Sequence, residues 1–73
     1  MTKDERFLVE HLSNELVEQL ISDYAWDIQK AMDVLYNSET FSKLEDPRSG
    51  LYYQSLVYVY SYLKSEIETG QLT

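Results

Sequence analysis

His11 carries the only imidazole in this 73-residue chain. On a helix it would face Glu15 at i+4 and Glu18 a turn beyond, which is the spacing of an H-x3-E metal face. A tetrahedral zinc site needs more nitrogen or sulfur ligands than one imidazole supplies, and the sequence contains no cysteine. We therefore interpret His11 as a surface histidine near acids, and we predict no metal and no cofactor.

Carboxylates recur at spacings that could serve acid–base chemistry. Asp23 and Asp27 lie four residues apart, and Asp27 and Asp33 flank Lys30. General acids and bases need burial or a cleft to tune their pKa values, and so short a chain can hardly form a deep pocket. No serine lies in a G-x-S-x-G context, and the two glycines stand alone, so there is no phosphate loop. The sequence thus predicts a protein that is not an enzyme.

Tyrosine is concentrated in one segment of the chain. Five of the seven tyrosines lie in its second half, close to one another. A tyrosine joins an apolar ring to a hydrogen-bonding hydroxyl, which suits a half-buried surface. Their density therefore indicates packing or partner contact rather than catalysis. These five are Tyr52, Tyr53, Tyr58, Tyr60 and Tyr62.

Two interpretations of these tyrosines are open. In the first, Tyr60 packs in the core while Tyr58 and Tyr62 cover its edges. In the second, Tyr58 and Tyr62 form an exposed aromatic ridge that continues into Tyr52 and Tyr53. Every position from 56 to 63 except one is apolar or aromatic, whereas a helix seats only about a third to a half of its circumference on a small core. This excess favours the second interpretation, and we predict partner binding by Tyr52, Tyr53, Tyr58 and Tyr62.

The elements that must position these residues begin with a helix over about residues 3–22. Thr2 and Glu5 have the spacing of a capping box, in which a hydroxyl and a carboxylate satisfy the first backbone N–H groups. Apolar residues then recur at helical spacing as far as Ile21. This pattern predicts one long amphipathic first helix.

The first helix cannot run straight on to Tyr36. A stripe repeating every four residues rotates by about 40° at each step, since a helix has 3.6 residues per turn. We therefore expect a break near Ser22–Trp26, with Ser22 or Asp23 as the N-cap of the next helix. Trp26 is expected in the core, with a place in the partner surface as the alternative.

Two shorter helices are predicted next, over about residues 25–36 and 38–45. Phe41 and Leu44 would face inward from the second of them. The segment Asp46–Gly50 is predicted to be a turn, because Pro47 presets φ and Gly50 permits a positive φ. The core-facing stripe of the 25–36 helix would consist of Ile28, Ala31, Met32 and Leu35.

The last element is predicted as a helix over about residues 55–69. Tyrosines alternate with other residues from 58 to 62, which is also the period of a strand. A strand needs a partner, and no other segment resembles one. Ser55 and Gly70 have the residue types of a helix N-cap and C-cap. A swapped or dimeric sheet is the surviving alternative, and otherwise the fold class is all-α: one domain over 1–73 with three to four helices.

Three short sequence motifs lie in the second half of the chain. They are N-S-x-T-F-x-x-L over 37–44, G-L-Y-x-Q-S over 50–55 and Y-V-Y-x-x-L over 58–63. Together, across about residues 24–67, they resemble a family of short, acidic, uncharacterised bacterial proteins. That family has no assigned activity, and some of its members lie near toxin-like genes, so the resemblance implies a partner protein at most. Proline often follows the Q-S pair in the family, where this chain has Leu56.

Charge limits the classes of partner. The net charge is −7, and the six basic residues form no cluster. Direct binding to nucleic acid and to anionic membranes both depend on clustered Lys and Arg, so we predict neither. No apolar run approaches the roughly 20 residues of a membrane span, and no signal-peptide core is visible, so the expected location is cytoplasmic.

Together these observations predict a non-catalytic protein–protein interaction module of bacterial origin. Its partner would be another protein or a second copy in a homodimer, since small cores often gain stability by association. The alternative is an antitoxin-like or DNA-mimicking accessory protein that neutralises a basic partner, which the negative charge would attract.

Overall fold

The computed structural model of the protein describes residues 2–70. Four α-helices occur in this range, and it contains no strand, so the predicted all-α fold is confirmed. The last segment is helical, which removes the strand alternative within the monomer. In chain order the elements are α1 (Lys3–Tyr24), α2 (Ile28–Tyr36), α3 (Glu39–Glu45), a 3₁₀ turn (Leu51–Tyr53) and α4 (Leu56–Thr69).

Helix α1 is the scaffold of the molecule. Its predicted capping box is present: the Thr2 hydroxyl accepts the Glu5 N–H at 3.2 Å, and the Glu5 carboxylate accepts the Thr2 N–H at 2.8 Å. At about 1.5 Å per residue, its 22 residues match the longest dimension of the molecule, 33 Å. It contacts α2, the 3₁₀ turn and α4. Its buried residues are Val9, Leu12, Ser13, Leu16, Val17 and Leu20.

The break after α1 lies later than predicted. The helix continues to Tyr24, and Ala25 then adopts a left-handed conformation with φ of 56°. Asp27 is the N-cap of α2, and its carboxylate accepts a first-turn backbone N–H at 2.8 Å. The prediction of Ser22 or Asp23 as N-cap is therefore wrong, because both still belong to the last turns of α1.

Only half of the predicted α2 stripe reaches the core. Ala31 and Leu35 are fully buried, whereas Ile28 is 61% exposed and Met32 is 37% exposed. Helix α2 begins three residues later than predicted, so Ile28 lies at its open end and not within a completed turn. Trp26, expected in the core, is partly buried before α2 and stacks on a neighbouring tyrosine with ring centroids 4.6 Å apart.

The short helix α3 is held at its N-terminus from two directions. The Ser38 hydroxyl accepts the Phe41 N–H at 3.0 Å. The Glu66 carboxylate, from α4, accepts the Glu39 N–H at 2.8 Å, the Thr40 N–H at 3.0 Å and the Thr40 hydroxyl at 2.8 Å. Helix α4 therefore supplies a second cap to α3 across the tertiary contact.

The pKa of Glu66 reflects this contact. Burial alone raises the pKa of its carboxyl, but the hydrogen bonds from Glu39 and Thr40 outweigh burial and lower the pKa below its ordinary value. The charged form is thus the one that the fold stabilises.

One apolar core joins all the elements. As predicted, Leu44 is fully buried, while Phe41 is partly buried against the core.

Gly50 in the turn before the 3₁₀ segment has φ of +69°, as its residue type predicts. No buried side-chain nitrogen or oxygen lacks a hydrogen-bond partner in residues 2–70. None of the helices in that range has the length and apolar character needed to cross a membrane.

Candidate binding groove beside the C-terminal helix

Helix α4 begins and ends where its capping residues predict. The Ser55 hydroxyl accepts the Tyr58 N–H at 3.2 Å, and Gly70 ends the helix with φ of 74°. Val59 and Leu63 are its fully buried residues. Because successive side chains on a helix are about 100° apart, burying this pair places the adjoining tyrosines at the edges of the core.

Three tyrosine hydroxyls bond to carboxylates that are distant in sequence. Each bond joins α1 to a C-terminal element, so these tyrosines hold the fold together through both ring and hydroxyl. The pairs are Tyr52 with Glu5, Tyr60 with Asp23 at 2.7 Å, and Tyr24 with Glu68 at 3.2 Å.

These bonds shift pKa values in opposite directions on their two sides. The Tyr60 hydroxyl holds the pKa of Asp23 below its ordinary value. Burial, and then the bond to Asp23, raises the pKa of Tyr60. The bond to Glu5 is the main cause of the raised pKa of Tyr52. Both the ionised carboxylates and the neutral phenols are thus the forms that the fold favours.

The two tyrosines before α4 lie in different surroundings. Tyr52 is only 4% exposed and belongs to the core, whereas Tyr53 is 71% exposed. Their rings are 4.5 Å apart between centroids. The predicted exposed ridge therefore does not include Tyr52. Its ring is buried, and its hydroxyl donates to the carboxylate of Glu5 in the first turn of α1.

Tyr58 and Tyr62 form the pair that the i, i+4 spacing predicts. Their ring centroids lie 5.1 Å apart at 64°, and their hydroxyl oxygens lie 3.1 Å apart. Tyr58 is 45% exposed, and Tyr62 is partly buried. The two rings form one wall of a groove of about 290 Å³, which we name the tyrosine groove. Its other lining residues are Thr40, Lys43, Ser49, Leu51 and Gln54.

The polar groups of the tyrosine groove differ in how far they are already engaged. The Thr40 hydroxyl donates to Glu66, and the Ser49 hydroxyl donates to backbone carbonyls of α3 and the turn. The Lys43 ammonium has no carboxylate within 4.0 Å in the described part of the chain, and the Gln54 side chain has no hydrogen bond there. Among residues 2–70, no acidic side chain lines the groove.

Sequence reasoning missed the wall opposite the tyrosines. Lys43, Ser49, Leu51 and Gln54 come from α3 and the connection to α4. Their position depends on how α3 docks on α4, which the side chain of Glu66 fixes from 26 and 27 residues away. No local pattern encodes that contact, although a lone lysine near a tyrosine-rich helix could have been noted.

The other candidate chemistry is dispersed. The His11 imidazole lies 3.2 Å from the Glu15 carboxylate, on the exposed side of α1 beside Phe7. Across residues 2–70, no three His, Asp or Glu side chains come together as a metal site would require. Asp23 and Asp27, considered for acid–base work, are used as a tyrosine acceptor and as a helix cap.

We compared the chain with protein-family models, with curated proteins and with solved structures. None of the three comparisons gives a match. The resemblance to short acidic bacterial proteins therefore stays a prediction, and the groove has to be interpreted from its own geometry.

Proposed function

We propose that the protein is a non-catalytic interaction module that binds a partner protein at the tyrosine groove. The observation that carries this proposal is the position of Tyr58 and Tyr62. Their hydroxyls bond to each other, while three other tyrosines are bonded to carboxylates of distant elements. The Tyr62 ring packs partly against the core, but within residues 2–70 neither hydroxyl of the pair joins α4 to another element.

Apolar exposure at the start of α4 supports the same surface. Tyr53 is 71% exposed, Val57 is 79% exposed and Tyr58 is 45% exposed. Single exposed apolar residues are ordinary, but here three fall within six consecutive positions next to a groove. Tyrosine in particular is enriched in the residues that contribute most to interface energy. Contact with a partner would remove this apolar surface from water.

The dimensions of the groove suit contact by one part of a larger partner. Its volume of about 290 Å³ lies at the low end of the range of small-molecule sites, about 300–1,000 Å³. A stable interface covers about 800 Å² on each partner, which is about one sixth of the surface of 4814 Å². The partner would thus extend beyond the groove over Tyr53 and Val57.

The test compares the double substitution Tyr58→Ala with Tyr62→Ala against Tyr36→Ala. Tyr36 is also 45% exposed but does not line the groove, so it is a matched control. Size exclusion with light scattering measures self-association over a concentration series, and pull-down from native lysate measures other partners. The double substitution should abolish association and leave helical circular dichroism intact, while Tyr36→Ala should keep both.

Two results would refute the proposal. The first is a wild-type protein that stays monomeric at high concentration and captures nothing that the double variant fails to capture. The second is loss of helical structure in the double variant, which would mean that the two rings serve the core.

A further inference from the structure

We infer that the tyrosine groove receives a carboxylate, carried by an Asp or Glu side chain on an extended segment of the partner protein. The inference rests on the proposed function and adds the chemistry of the partner. The carboxylate would lie between the Lys43 ammonium and the hydroxyls of Tyr58 and Tyr62.

The hydroxyls of Tyr58 and Tyr62 have two protons but share only one hydrogen bond. Each phenol has one O–H proton, and the two oxygens are 3.1 Å apart, so one hydroxyl donates to the other. The accepting tyrosine keeps its own proton, and neither hydroxyl has another hydrogen-bond partner among residues 2–70. The groove thus presents one tyrosine donor that the protein leaves for an external acceptor.

Three other tyrosines of this fold have a carboxylate as the acceptor of their hydroxyl. Tyr24, Tyr52 and Tyr60 each donate to a carboxylate brought from a distant element. Hydrogen bonds to an ionised acceptor are about twice as strong as neutral ones. A carboxylate supplied by a partner would give the Tyr58–Tyr62 pair the same kind of acceptor.

The charge that lines the tyrosine groove is opposite in sign to the net charge of the protein. The protein carries 13 acidic residues against six basic ones, yet the described part of the chain lines the groove with Lys43 and with no acid. The Lys43 ammonium has no carboxylate within 4.0 Å in the described residues. A carboxylate in the groove would gain an ionic partner there, whereas a Lys or Arg side chain would meet a like charge.

Two further lining residues could contact an extended segment of the partner. Leu51, only 9% exposed, adds an apolar contact, and Gln54 offers both a donor and an acceptor for a peptide backbone.

The net charge of −7 repels strongly acidic partners at long range. Screening over about 8 Å at physiological salt allows one carboxylate to dock while a polyacidic tract is disfavoured.

The experiment selects peptides from a random display library against the wild-type protein. Binders are then counter-selected on the double variant Tyr58→Ala with Tyr62→Ala. Groove-dependent peptides should be enriched in one Asp or Glu at a fixed position. Changing that residue to Asn or Gln should weaken binding at least 10-fold.

Three variants test the roles of individual groups. Lys43→Glu should weaken the selected peptides at least 10-fold, while Lys30→Glu, with the same change in charge outside the groove, should leave affinity within about 2-fold. Tyr58→Phe with Tyr62→Phe keeps both rings and should weaken only the peptides that retain their acid. Chemical shifts of the labelled protein show whether every variant is folded.

The outcomes separate the inference from the proposed function. If no peptide distinguishes the wild type from the double alanine variant, both fall. If groove-dependent peptides lack an acid, carry a basic residue instead, or bind Lys43→Glu as tightly as the wild type, only the carboxylate inference falls. A groove-dependent dimer would identify a second copy of the chain as the occupant. That result, too, would overturn only the carboxylate inference.

Discussion

Glu66→Ala is the substitution that tests the architecture most directly. Its carboxylate accepts three hydrogen bonds at the N-terminus of α3. Two of them come from Thr40, whose side chain is completely buried. Removing the carboxylate leaves these donors in a place where water replaces it poorly.

The expected loss follows from the number of bonds. A net hydrogen bond contributes about 0.5–1.5 kcal/mol, and somewhat more with a charged acceptor, so the three together contribute about 2–4 kcal/mol. Stability for 73 residues is about 4–11 kcal/mol at about 0.05–0.15 kcal/mol per residue. At about 4–8 °C per kcal/mol for a small domain, the Tm of Glu66→Ala should fall by about 8–32 °C.

Glu66→Gln refines the same prediction. The amide oxygen can still accept both bonds from Thr40, but the amide nitrogen cannot accept the Glu39 N–H. The expected loss is about 1 kcal/mol, which is one hydrogen bond. Glu68→Ala is the matched control, because that carboxylate on the same helix accepts only an exposed hydroxyl. It should lose about 0.5–1.5 kcal/mol, the contribution of one hydrogen bond, against about 2–4 kcal/mol for Glu66→Ala.

The assay is thermal and urea unfolding followed by circular dichroism at several pH values. Because the folded-state pKa of Glu66 is lowered, its contribution is complete above the unfolded value of about 4.3 and is lost as pH falls through the folded value. The wild type and Glu66→Ala should therefore converge in strong acid. Equal stability of the two proteins at neutral pH would refute this account of how α3 docks.

Three further predictions concern other parts of the fold. Tyr60→Phe removes the hydrogen bond that lowers the pKa of Asp23. The variant should therefore lose less stability than the wild type as pH falls below about 4. An equal loss in the two proteins would contradict this. Ala25→Gly should raise stability by about 0.5–1 kcal/mol in urea titration, since Ala25 has φ of 56°; a loss would show that the left-handed residue is not strained. Leu16→Ala, at a fully buried site, should lower the free energy of unfolding by about 2–5 kcal/mol in the same titration. Val57→Ser, at a site that is 79% exposed, should change it by no more than about 0.5 kcal/mol. Similar losses in the two variants would contradict the assigned burial.

Local signals in the sequence were sufficient for the helices except at the junction of α1 and α2, where the N-cap is Asp27 and not Ser22 or Asp23. The capping box at Thr2, the N-cap at Ser55 and the terminating Gly70 each depend on a few neighbouring residues. Helix periodicity also outweighed the strand-like alternation of the tyrosines, because no second segment could pair with a strand. Where local chemistry determines the structure, the sequence alone was enough.

Predictions failed where a distant residue decides the outcome. Asp23 has the residue type of an N-cap, but it is the acceptor for a tyrosine 37 positions away. Tyr52 is as good an interface residue as Tyr53 by type, and its burial depends on Glu5, 47 positions away. For the candidate site, the tyrosine pair was predictable from its spacing, whereas Lys43 and the opposite wall were not.

The length of α1 has a consequence for synthesis of the chain. Its apolar face needs the 3₁₀ turn and α4 to cover it, and 39 further residues separate Tyr24 from Leu63 (63 − 24). At about 5–20 residues per second, that delay is about 2–8 s on the ribosome. During this interval α1 can pack on α2, but the part of its apolar face that the 3₁₀ turn and α4 cover stays exposed, so the core should be completed late.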